Sequence, residues 1–293
     1  MKENTQYSDI ELQIIDEWES IGISNDFIFC KVMQDSSLLE ELVRIILPDL
    51  KFIKLISHPQ ESVEIGRDIH GVRFDILAAS EDGTVIEIEM QVISRRYLPK
   101  RMRYYESTAD MQILEKGKSY SELKDSYIIM ICPFDFFNKG RHIYTFTNRC
   151  KEDYSIELGD GTTKIFLNSA GALDDISDRP KLKAFLNYIA GIVTDDKYIQ
   201  KLDNAVKLAK MNKVWRREYM TLKMRDLENQ EIGEERGRAE GRAEGRAEGK
   251  QETLALSIKN IVDSFGVSVE KAMDSLKIPQ DQRSMYMRLI DDF

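Results

Sequence analysis

The sequence predicts an α/β protein: an α/β core through residue 180, followed by a helical C-terminal extension. Two observations carry this. From residue 51 to 93 apolar and polar residues alternate, the period-two mark of strands, whereas beyond residue 180 only helical spacing survives. With 293 residues the chain has room for one large domain or for a core with an appendage.

In chain order, residues 1–20 read as a polar lead, without the apolar stretch of about 7–15 residues that marks a signal peptide. Residues 25–47 read as a helix, from Phe27, Val32, Leu38, Leu39, Leu42, Val43 and Ile46, closed by Pro48. Strands follow at Lys51–Ile56, Val72–Leu77 and Val85–Val92. Ser94–Ser121 is basic, with a helical middle, and Tyr127–Cys132 is a buried-type strand stopped by Pro133. Two further strands, His142–Thr147 and Thr163–Asn168, are separated by a loop ending in Gly159-Asp160-Gly161. Lys181–Gly191 and Asp195–Glu231 read as helices.

The repeat Gly-Arg-Ala-Glu follows, three times from Gly237 and once in worn form at Gly249. In a helix it stacks arginine on arginine and glutamate on glutamate, and each glycine costs about 1 kcal/mol relative to alanine, so a frayed helix or extensible spacer is expected. The resulting divisions are a lead (1–20), a core (21–180), a helical arm (181–235), a spacer (236–252) and a small helical tail (253–293). The tail suits an oligomerisation or docking module, including a homo-oligomer, or a simple capping bundle.

Composition bounds the function. Hydrophobic residues make up 42%, enough for a real core, and the charge is −9, from 42 basic and 51 acidic residues, which excludes a general polycationic clamp for nucleic acid. Cys30, Cys132 and Cys150 form no CxxC pair, and His58, His70 and His142 have no metal-ligand spacing. No run approaches the roughly 20 apolar residues of a membrane span. A soluble cytoplasmic protein is expected.

The chemistry concentrates in residues 72–93. In a strand, Glu87, Glu89 and Gln91 share one face, while Ile86, Ile88, Met90 and Val92 share the other. A three-residue loop Glu81-Asp82-Gly83, with Gly83 left-handed, pairs Ile76 with Ile88, Phe74 with Met90 and Ala78 with Ile86. Two- or four-residue loops would set apolar residues against charged ones. The favoured register also sets Asp75 opposite Glu89, and opposed like charges in a sheet invite a divalent ion between them. Asp, then Glu one hairpin later, then a polar group two residues on is the layout of a metal-dependent phosphodiesterase site.

Several ordered motifs carry a resemblance. Arg73-Phe74-Asp75-Ile76-Leu77 with Ile88-Glu89-Met90-Gln91 resembles the signature of the PD-(D/E)XK nuclease family transposases, also called recombination-promoting (Rpn) nucleases. Asp26–Val32, Arg103-Tyr104-Tyr105, Tyr127–Asp135, Tyr144–Cys150 and Asp160–Asn168 are similar to further segments of that family. The resemblance spans residues 20–235 and implies a restriction-endonuclease-like core with a mixed central sheet flanked by helices. It implies that Asp75 and Glu89 ligate the metal, with the Met90 carbonyl as an extra ligand. Gln91 takes the place of the superfamily's lysine, and a neutral amide supplies no positive charge. Glu87, Asp26 and Glu41 are candidates for an additional acidic residue.

Residues 92–118 carry Arg95, Arg96, Lys100, Arg101, Arg103, Lys116 and Lys118 against Glu106, Asp110 and Glu115, seven minus three, or +4. With Tyr97, Tyr104 and Tyr105 interleaved, this stretch is the candidate DNA surface, and Arg101 and Tyr105 share a helix face. The expectation is a metal-dependent DNA endonuclease using Mg²⁺, with Mn²⁺ and Ca²⁺ suited to the same oxygens. The alternatives are a decayed core that binds DNA or protein, and cleavage of RNA.

Overall fold

A computed structural model describes residues 8–291 except 53, 60–61, 64–71, 74 and 115–117. The elements are α1 (Asp9–Ser20), α2 (Asp26–Val32), α3 (Ser36–Ile46), β1 (Leu55–Pro59), β2 (Ser62–Val63), β3 (Val72–Arg73), β4 (Ile76–Ser80) and β5 (Val85–Met90). Then come α4 (Leu98–Ile113), β6 (Ser126–Cys132), β7 (Ile143–Phe146), β8 (Thr162–Asn168), α5 (Pro180–Ile189), α6 (Lys197–Met211), α7 (Lys213–Phe265), α8 (Val269–Ser275) and α9 (Gln280–Asp291). Six strands form one mixed sheet in the order β1-β4-β5-β6-β8-β7, with β5, β6 and β8 parallel and the others antiparallel to their neighbours. The fold is thus α/β with a helical C-terminal region, as expected. No described helix is long and apolar enough to cross a membrane.

The hairpin has the register that apolar matching selects: Ile76 faces Ile88 and Ala78 faces Ile86. Gly83 has φ of 89°, and the Ser80 carbonyl accepts from its N–H at 3.0 Å. Asp82 fixes the loop by accepting from the Thr84 N–H and the Ser80 hydroxyl, and these bonds, the Ser80 one foremost, pull its pKa down to about 2. The Phe74–Met90 pairing, Ile53 and His70 lie outside the described residues.

Helices cover both sheet faces. Leu98 and Met102 of α4 pack on Ile128, Met130, Cys132 and Phe166, on the same side as Glu87 and Glu89 because these strands pair Glu87 with Ile128 and Glu89 with Met130. The opposite side is faced by the N-terminal helices, with α2 touching β5 and α3 touching β1.

The structure revises several sequence boundaries. The lead is in part a helix: Ser8 and Glu11 cap α1 reciprocally, and Trp18 is fully buried. The helix expected over 25–47 is two helices, because the Asp35 carboxylate caps Ser37 and Leu38 and restarts the chain. The helix over 195–231 breaks at Asn212, whose side chain accepts from Val214 and Trp215 N–H groups. The predicted strand Val72–Leu77 is split at Asp75, and β5 ends at Met90, before Val92.

Two compact units form, Met1–Met220 and Thr221–Phe293. In the first, α5 and α6 belong to the core and not to an arm: Arg179 just before α5 donates to the carbonyls of Ile45 and Ile46, and Tyr198 in α6 donates to Leu38. In the second, the repeat is continuous helix within α7, exposed throughout, and α7 carries Ala255 and Ile258 into a small core with Met273, Ile278 and Tyr286.

Candidate metal and phosphodiester site

Asp75 stands at the break before β4, beside the last residues of β5. There the two candidate ligands cross-bond: the Asp75 N–H donates to Glu89 Oε1 at 3.0 Å, and the Met90 N–H donates to Asp75 Oδ2 at 3.1 Å. Side chain and backbone of the two strands thus replace the next rung of the ladder, so the carboxylates adjoin without a regular strand at Asp75. The Cys30 thiol of α2 lies 3.6 Å from the Asp75 carbonyl oxygen.

Burial is the dominant electrostatic fact. Glu89 is 1% exposed, and desolvation with the Asp75 charge raises its pKa to about 8, against a lowering by Arg101. Desolvation likewise raises Asp75 to about 6, helped by repulsion from Asp26 and opposed by the Met90 hydrogen bond and Arg101. Asp26, at the start of α2, therefore lies within electrostatic reach of both. Glu87 is fully buried, its pKa held far above the carboxylate range by desolvation and then by Glu89, and neither of its oxygens has a hydrogen-bond partner among the described residues.

Arg101 bridges the site. Its Nη2 donates to Glu89 Oε2 at 2.5 Å, its Nη1 to Gln91 Oε1 at 2.8 Å and its Nε to the Tyr105 hydroxyl at 2.6 Å. Gln91 is clamped from its other end, its amide donating to the Ile93 carbonyl at 2.7 Å. Two sequence assignments change as a result. Arg101 turns inward onto Glu89, and Tyr105 is buried beneath it, so neither stands with the exposed basic and aromatic side chains of this stretch. The shared helix face of Arg101 and Tyr105 was legible; the burial of that face by the sheet was not.

Arg95, Arg96, Lys100 and Arg103 are exposed, as is Tyr104, on the loop after β5 and the first turns of α4. Glu41 is not brought to the site: α3 directs it to Lys201 at 3.3 Å and Lys181 at 3.7 Å. Sequence reasoning missed Glu106 and Lys164, an ion pair at 2.7 Å behind Glu87, where Glu106 adds to the field that raises it. The parallel β6 and β8 register, Glu87 to Ile128 to Lys164, brings Lys164 to this face, a long-range fact with no local signal.

Hard carboxylate oxygens at Asp75 and Glu89, both raised chiefly by desolvation, fit a divalent cation. Among the described residues no group of three His, Cys, Asp or Glu side chains gathers to hold one. A mixed sheet carrying an Asp–Glu pair at one hairpin end, flanked by a basic helix, defines a nuclease-type core. The model of the PD-(D/E)XK nuclease family transposases matches residues 24–238, and the chain belongs to that family. No curated protein and no solved structure matches the chain.

Proposed function

We propose that the protein is a metal-dependent DNA endonuclease in which Asp75 and Glu89 hold a divalent ion, Mg²⁺ foremost. The observation that carries this reading is the cross-bonded pair of a half-buried Asp75 and a buried Glu89, two carboxylates that desolvation and neighbouring carboxylate charge raise despite Arg101. An ion bound there supplies Lewis-acid charge at the phosphate and a more acidic water. Its remaining ligands would come from the Met90 carbonyl, water and the substrate phosphate. The hydrogen bonds to Asp75 and Glu89 hold their oxygens before the ion arrives, and the clamped Gln91 gives the site edge a fixed amide.

Plasmid cleavage by purified protein tests this: nicking with Mg²⁺, none with EDTA, and none from Asp75→Ala or Glu89→Ala. Equal activity in the wild type and both variants would overturn the site.

Arg95, Arg96, Lys100 and Arg103 are the backbone contacts of this reading, with Tyr104 beside them. Reversing Arg95, Arg96 and Lys100 to glutamate should weaken DNA binding across sequences and flatten the salt dependence by roughly 0.9 in log–log slope per lost phosphate contact. Filter binding from 50 to 200 mM salt reads it, and an unchanged slope moves the DNA surface elsewhere.

A second reading, a decayed nuclease fold serving as a binding module, is favoured by one observation: Arg101 already pairs with Glu89. Calorimetry separates the two, since a decayed site takes up neither Mg²⁺ nor Mn²⁺ at millimolar concentration, with or without DNA.

A further inference from the structure

Hydrolysis of a phosphodiester builds negative charge on the phosphoryl and leaving oxygens, and a site that accelerates it places fixed positive charge there. The acidic pair and Gln91 offer none. Among the described residues, Arg101 is the only Lys or Arg hydrogen-bonded to Asp75, Glu89 or Gln91.

A guanidinium has five N–H donors in a rigid plane. Three are used, on Tyr105, Gln91 and Glu89, which leaves one on each terminal nitrogen. Two such donors from one fork match the spacing of two phosphate oxygens. The three bonds fix the plane of the fork, and the side chain keeps 31% of its surface exposed.

The neighbouring glutamine is explained by the same geometry. Its carbonyl accepts from Arg101 and its amide donates to Ile93, so position 91 is an acceptor facing a cation. A lysine at 91 would set like charge against the guanidinium.

We propose that Arg101, reaching in from α4, is the positively charged catalytic residue of this site, contacting the scissile phosphate with its two spare N–H groups, and that Gln91 is the positioning residue that orients it. This rests on the nuclease reading above. The cation has moved from the strand to the helix.

The test uses the full-length protein. Arg101→Gln should cleave about 100-fold more slowly than wild type, the scale seen when one charge-stabilising donor is removed. Its Mn²⁺ affinity by calorimetry should be unchanged or tighter, because a competing cation has left Glu89. Gln91→Lys should also cleave poorly, and the double variant Gln91→Lys/Arg101→Gln should recover at least tenfold over Arg101→Gln. Thermal melts confirm folding, and Arg101→Lys, which keeps the charge beside Glu89 but loses the fork, guards against collapse of the glutamine variant.

Wild-type cleavage by Arg101→Gln overturns the inference and leaves the nuclease reading standing. A fall in metal affinity parallel to the fall in rate also overturns it, since Arg101 would then only order Glu89. Wild type and Asp75→Ala behaving alike overturns the nuclease reading itself.

Discussion

Glu87→Gln should stabilise the fold at pH 8 and do nearly nothing at pH 4.5. The folded state holds this carboxyl fully buried, without a hydrogen-bond partner among the described residues, and far above its ordinary pKa. The unfolded chain releases the proton near 4.5, so between that pH and the folded value the native state binds more protons than the unfolded one. Stability is therefore full below pH 4.5 and falls as pH rises, at up to about 1.4 kcal/mol per unit. An amide carries no such penalty.

Urea melts of wild type and variant at pH 5 and pH 8 check this. A shift of the same size at both values, or destabilisation at pH 8, would refute it. Asp75, raised to about 6, and Glu89, raised to about 8, have the same sign, so the variant keeps a weaker decline that continues to pH 8. Divalent metal should flatten that remainder, because an ion that binds only the folded site adds stability. A stability cost concentrated in three carboxylates at one hairpin is what a charge-handling site demands.

Trp18→Ala should cost about 3–5 kcal/mol, the range for deleting a large aromatic from a core. Trp18 is fully buried, its ring 5.3 Å from that of Tyr219 and 6.0 Å from that of Phe27, and its indole N–H donates to the Lys210 carbonyl at 3.2 Å. One side chain thus joins α1 to α2, to the end of α6 and to the first turns of α7. Phe27 is next to Asp26 on the helix whose Cys30 meets Asp75, so cleavage should fall together with stability. Denaturant midpoints measure the loss, with Trp18→Phe expected to retain most of the stability. A cost under about 1 kcal/mol for the alanine variant would show that α1 is dispensable.

Reading the chain by period found the hairpin register, because a one-residue slip would set Ile76 and Ile88 against charge. It also found the common face of Glu87 and Glu89, and the pairing of Arg101 with Tyr105 across one helical turn. Each is a local consequence of backbone geometry and needs no knowledge of distant residues. The burial of α1 was less legible, since Ile14 and Trp18 are two apolar anchors in an otherwise polar segment. Only packing against α6 and α7 shows what they are for.

By itself the sequence determined the α/β class, the acidic hairpin and the basic helix behind it, since periods of two and 3.6 and a left-handed glycine are written residue by residue. The tertiary structure decided which face is dry. It laid α4 over the carboxylates, leaving Glu87 without a hydrogen-bond partner among the described residues and turning Arg101 from a surface charge into a neighbour of Glu89. It also sent Glu41 to Lys201 instead of to the site. The reason is physical: a strand or helix fixes which side chains share a face, but the solvation of that face, and with it charge, pKa and reactivity, depends on what the rest of the chain packs over it.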